Sequence, residues 1–134
     1  MKEDIKNRND IRFVVSVFYD NVKENSLLGP IFKEIIKDWD EHIEQLTTFW
    51  ESSLFPIRNS NSKYYGNPLD IHVEVDKATD ASITQRHFGI WLNLWFQTLD
   101  TYFKGDVTEK AKQRARKMST FMYLKIYEAR QNPR

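Results

Sequence analysis

"HFGIWLNLWFQTLDTYFKG", residues 87–105, carries the spacing that decides the fold class. Phe88, Trp91, Leu92, Trp95, Leu99 and Tyr102 recur at intervals of three and four, which is one broad face of an α-helix and not the alternation of a strand. Just upstream, SITQ at 82–85 has the pattern of a capping box, with Ser82 accepting from the backbone and Gln85 reaching back. Gly105 is a fitting stop, since helices commonly end on a residue that tolerates a left-handed backbone.

Reading outward from this helix, the same period recurs on both sides. Thr108 opens a last helix on which Ala111, Ala115, Met118, Met122 and Ile126 form a stripe edged by Phe121 and Tyr123, before QNPR ends it. Upstream, a third helix runs from about Asp40 to Phe55 with Ile43, Leu46, Trp50 and Leu54 as its apolar stripe. His42 shares the edge of that stripe, because Leu46 and Phe49 follow it at i+4 and i+7. Pro30 is placed to start a short second helix carrying Phe32 and Ile35.

Asn9 or Asp10 caps a first helix, along which Ile11, Val14, Val15, Phe18 and Val22 repeat up to about Glu24. Tyr19 falls on the inward face of that helix or its edge, with a hydroxyl that needs a partner if buried. Residues 56–67 read as a polar loop. With no internal repeat and no alternating strand pattern, the expectation is an all-α chain forming a single domain over residues 1–134.

Composition narrows the function. A chain of 134 residues buries roughly 68% of the surface it exposes when unfolded, enough for a core. Twenty Lys and Arg against nineteen Asp and Glu leave +1, so no overall field draws the chain to nucleic acid or anionic lipid; the locally basic stretch 110–117 fits a solvated helix face. No apolar run approaches the ~18 residues of a membrane span, and no basic-then-apolar leader opens the chain. The expectation is a soluble, cytoplasmic protein that contacts neither membrane nor nucleic acid.

Cysteine is absent, which excludes disulfides, thiolate nucleophiles, cysteine zinc sites, iron–sulfur clusters and covalent haem attachment. Phosphate loops, the HExxH zinc motif and the serine elbow are missing too. Three histidines at 42, 72 and 87, far apart and without a carboxylate pattern, make a protein-only metal cage a poor fit. One of them could still be the single protein ligand of a haem. Nine Phe, six Tyr and four Trp could surround a flat apolar guest or form a dense core.

Five motifs in order then carry a resemblance: VFYDNV around Tyr19, LGPIF at 28–32, WDEHIEQLTTFW at 39–50, YYGNPLDIH at 64–72 and HFGIWLNLW at 87–95. In this order and spacing the chain resembles the group III truncated haemoglobins, short bacterial two-on-two globins. The missing Gly-Gly pairs between helices fit that group. The chain departs from the family pattern after His72, where VEVDKATDASIT is longer and more polar than a Leu-Pro-containing link.

The resemblance implies haem b, iron protoporphyrin IX, in a truncated-globin sandwich, with His72 as the proximal iron ligand. Tyr19, His42 and Trp91 then face the ligand side, Phe32, Leu46 and Trp50 line that side, and Leu69 lies nearer the proximal side. Arg86, or alternatively His87, would meet a haem propionate, Arg86 being favoured by its carboxylate geometry. The implied ligands are dioxygen, carbon monoxide, nitric oxide or peroxide. The role is either reversible binding for storage, delivery or sensing, or nitric oxide dioxygenase or peroxidase-like chemistry, in which a reductase would be a partner. From the residues alone each assignment has a plain counterpart: a surface histidine at 72, core aromatics at 19 and 91, a solvent histidine at 42. A haem-free helical module that binds a partner helix through its aromatic stripes is the alternative from another class.

Overall fold

Asn7 caps the first helix: its side chain accepts the Asp10 N–H at 3.0 Å, while the Asp10 carboxylate accepts the Lys6 N–H at 2.9 Å. The cap expected at Asn9 or Asp10 therefore lies earlier, and Asp10 instead places its charge in the first turn, where the helix dipole favours it. The computed structural model describes residues 2–56 and 84–131. These form α1 (Arg8–Glu24), α2 (Leu28–Ile35), α3 (Trp39–Leu54), α4 (Gln85–Tyr102) and α5 (Asp106–Gln131), with no strand among the described residues.

The pair α1 and α3 lies against the pair α4 and α5, with α1 on α4 and α3 on α5, in a two-on-two sandwich that the short α2 flanks from α1. The stripe of α1 is the centre of the core. Ile11, Val14, Val15, Phe18 and Val22 are each at most 1% exposed. Each such side chain is worth roughly 1.5–3 kcal/mol on burial.

α2 starts at Leu28, earlier than the opening expected at Pro30. Asn25 explains the shift, because its side-chain oxygen accepts the N–H groups of both Leu27 and Leu28 at 2.9 Å. Pro30 still lies in the first turn, where its missing N–H costs nothing. Gly29 packs so closely on the end of α1 that a Cβ there would lie 2.3 Å from the Lys23 carbonyl oxygen.

α4 also begins differently from the expectation. Thr84 caps it, and the Thr84 N–H donates to His87 Nδ1 at 3.0 Å, so the box runs from 84 to 87 and not from 82 to 85. At its other end Tyr102 is 42% exposed and packs edge-on against Phe13 at the surface, not in the core as its spacing predicted. The start of α5 is held by the N-terminal segment: the Asp4 carboxylate accepts the N–H groups of Val107 and Thr108 at 2.8 and 2.9 Å, and the Thr108 hydroxyl at 2.8 Å. Gly105 makes this approach possible, with φ +147 and a virtual Cβ only 2.5 Å from the Asp4 carboxyl.

Candidate functional site

Four helices converge on one small space beneath the α1 core, three of them with aromatic side chains and α5 with Met118 and Met122. α1 presents Phe18 and Tyr19 side by side, ring centroids 4.9 Å apart, and Tyr19 is only 6% exposed. α4 approaches Phe18 with Trp91 at 5.7 Å and Trp95 at 5.1 Å, both edge-to-face. α3 closes the third side with Trp50, which stacks on Trp95. The Trp95 indole N–H is engaged, donating to the Ala111 carbonyl at 3.3 Å.

Tyr19 also centres a second aromatic group toward the N-terminal end of α3. His42 packs edge-to-face on it at 5.0 Å, Phe32 at 6.0 Å and Trp39 at 5.8 Å. Trp39 in turn meets His42 at 5.9 Å and lies beneath Lys23, whose Nζ is 4.3 Å from the ring centroid. Polar tips and apolar faces thus meet around one phenol.

The cavity that these helices line measures about 30 Å³ and is partly open. Its walls include Tyr19, Leu46, Trp50 and Trp91, four of the residues singled out from the sequence. Val15, Phe18, Phe49, Trp95, Met118 and Met122 complete the lining. A space of that size holds a water molecule, not a macrocycle. In chemistry the walls fit a flat apolar guest: aromatic and aliphatic side chains, with the Tyr19 phenol and the indoles of Trp50, Trp91 and Trp95 as polar groups, the last engaged with Ala111. They contain no competing metal centre, for among the described residues no group of three or more His, Asp or Glu is placed to hold a metal ion.

Phe32 reaches the site through Tyr19 and not through the cavity wall. Arg86 is an exposed residue of the first turn of α4, and His87 is engaged with the Thr84 cap. Leu69 and His72 lie outside the described residues. Sequence reasoning passed over Trp39, because it opens α3 ahead of the expected start at Asp40. The stripe expected on α3 faces inward, with Trp50 and Leu54 buried and Ile43 and Leu46 half-buried against the core, and the buried face also takes in Thr47, wholly buried, and Glu51, 9% exposed. Glu51 is drawn in by Arg8 at 2.9 Å, and the same guanidinium reaches Glu44 at 2.8 Å and Thr48 at 3.1 Å.

The described helices adopt a two-on-two fold of the truncated-globin type. The chain is similar to the crystal structure of a group III truncated haemoglobin from Campylobacter jejuni, with TM-score 0.80 and 27% identity over 95% of this chain and 96% of that one. In sequence it is similar to the group 3 truncated haemoglobin ctb of the same bacterium, 26% identical over 132 residues, which are 96% of this chain and 97% of the relative. No family model matches the chain. The resemblance to group III truncated haemoglobins holds in sequence and in fold along nearly the whole chain.

Proposed function

We propose that this chain is one globin domain that binds haem b and, through it, dioxygen and other diatomic ligands. The observation that carries the reading is the convergence of Tyr19, Leu46, Trp50 and Trp91 from three helices on one aromatic cavity, with His42 packed on Tyr19. Both similar proteins are haemoglobins by name. When bound, haem supplies an iron centre for small ligands. In the proposal His72 is the proximal ligand with Leu69 beside it, and Arg86 is free at the surface to pair with a propionate.

On the ligand side the chain contributes donors and walls. Were haem held here, the Tyr19 O–H and Trp91 N–H would be the side-chain donors available to a ligand that gains partial negative charge, and would favour dioxygen over neutral carbon monoxide. Trp91 is the tryptophan of α4 suited to this, since the Trp95 N–H is committed to Ala111. At roughly 1.5–3 kcal/mol per hydrogen bond to a charged group, two such donors slow oxygen release by about 10² to 10⁴. Phe32, Leu46 and Trp50 exclude water from that side.

The donor pair favours retention followed by chemistry over carriage. With haem bound, the chemistry it would supply is conversion of dioxygen and nitric oxide to nitrate, a one-electron process that would need a reductase as partner, or peroxide turnover; Tyr19, His42 and Trp91 are the side chains that would assist either. Absorption spectra in the ferric, ferrous and carbon monoxide forms test the haem reading, with a Soret band expected in the wild type and altered ligation in His72→Ala. Absence of the band after expression with ample haem sinks it. Stopped-flow oxygen release tests the enzymatic reading, which fast release with little preference over carbon monoxide would overturn.

A further inference from the structure

We propose that Trp39, pinned by Lys23, is a positioning residue that holds the His42 imidazole inward against Tyr19 and so governs how often that imidazole clears the path to the bound ligand. The rate effect rests on the haem reading above; the placement of His42 does not.

His42 follows Trp39 by three residues on α3, so the two share a face of the helix. Side chains on a helix lean toward its N-terminus, which brings the imidazole back over the turn that contains Trp39. The imidazole is flanked on two sides, by Tyr19 at 5.0 Å with planes 82° apart and by Trp39 at 5.9 Å with planes 88° apart. Two edge-to-face neighbours leave a ring few alternative side-chain angles.

Trp39 is the first residue of α3, a position that frays when nothing outside the helix holds it. Asp38 caps the helix by accepting the Glu41 N–H at 3.1 Å, and the indole ring itself is held from α1. Lys23 Nζ lies 4.3 Å above the ring, and Tyr19 meets it at 5.8 Å. Tyr19 and Lys23 are four residues apart on α1, so adjacent turns of one helix grip the imidazole and the indole behind it. The competing anion for Lys23, Asp20, is 4.0 Å away and 72% exposed, which makes it a weak rival for the ammonium.

Carbon monoxide association after flash photolysis of the ferrous haem-loaded protein tests this in Trp39→Leu and Lys23→Met, each in wild-type and His42→Leu backgrounds. Trp39→Leu is expected to speed association roughly two- to tenfold, the range that one lost edge-to-face contact implies, with Lys23→Met in the same direction and smaller. Both effects should vanish in the His42→Leu background, because the indole acts through the imidazole. An equal acceleration there would overturn the proposal. NMR of the haem-free protein gives the second readout: in Lys23→Met, which keeps both rings, the His42 side-chain couplings should average and the cross-relaxation between His42 and Tyr19 ring protons weaken. Unchanged couplings and cross-relaxation would overturn it as well. A wild type that takes up no haem defeats the haem reading alone, and the NMR result still decides the placement of His42.

Discussion

The indole rings of Trp50 on α3 and Trp95 on α4 stack with centroids 4.9 Å apart and planes 22° from parallel. This contact fixes the spacing of two helices from opposite layers at the wall of the cavity. Trp50 is 4% exposed, so Trp50→Ala is expected to cost about 3–5 kcal/mol. Urea unfolding checks this through a lowered midpoint at unchanged slope. A loss below about 1 kcal/mol would mean that the stack does not hold the layers together.

Asp4 makes stability depend on acid. Burial alone would raise its carboxyl, but hydrogen bonds from the Val107 N–H, the Thr108 hydroxyl and N–H, and the Ile5 N–H outweigh that and hold it below the usual carboxylate range. A depressed folded-state value means that the stabilisation is fully present above the unfolded value of about 3.9 and is lost as pH falls through the folded value. Asp4→Ala should cost about 0.5–2 kcal/mol near pH 7. Asp4→Asn should flatten the fall in urea midpoint below about pH 4; an unchanged slope there would place the acid sensitivity elsewhere.

Arg8 ties α1 to α3 at the edge of the site. Arg8→Ala leaves the Glu51 carboxylate, 9% exposed, without its guanidinium and should cost about 1–3 kcal/mol. Glu51→Gln in that background is expected to recover part of the loss, because a neutral amide is cheaper to bury than an unpaired carboxylate. Additive losses in the double variant would show that the two residues act separately.

Haem binding should stabilise the folded chain. At free haem of 100 times the dissociation constant the gain is about 2.7 kcal/mol, which for a domain of this length raises Tm by roughly 8–13 °C. Differential scanning with increasing haem measures it. A Tm independent of haem would count against a specific site.

The donor roles proposed for Tyr19 and Trp91 separate by substitution. Tyr19→Phe and Trp91→Phe, which preserve aromatic walls, should each speed oxygen release by about 10- to 150-fold, with a much smaller effect on carbon monoxide. Trp95→Phe serves as the contrast: its N–H donates to Ala111, so its cost should appear in unfolding and not in oxygen release.

Much of this architecture was legible in the residues because helical periodicity is a local property. The stripes Ile11 to Val22, Phe88 to Leu99 and Ala111 to Ile126 repeat at three and four, and the structure buries nearly all of them. The ordered motifs likewise pointed to the fold that the structure shows. The meeting of Tyr19, Leu46, Trp50 and Trp91 around one cavity was suggested by resemblance and not by spacing, for no local pattern says which helix faces which.

Tertiary structure decided what depends on partners distant in the chain. Asp4 caps a helix that starts at Asp106, a contact that no window of sequence contains. Arg8 of α1 turns Glu51 inward, and Thr47 is buried beside Leu46 and Trp50, because the packing of α1 on α3 sets which part of α3 is covered. Trp39 packs under Lys23 and against Tyr19, both on α1, contacts that no pattern within α3 specifies. The sequence by itself determined the five helices found among the described residues and which stripe most of them bury; the packing of helix on helix determined how each is rotated, and with it which side chains surround Tyr19.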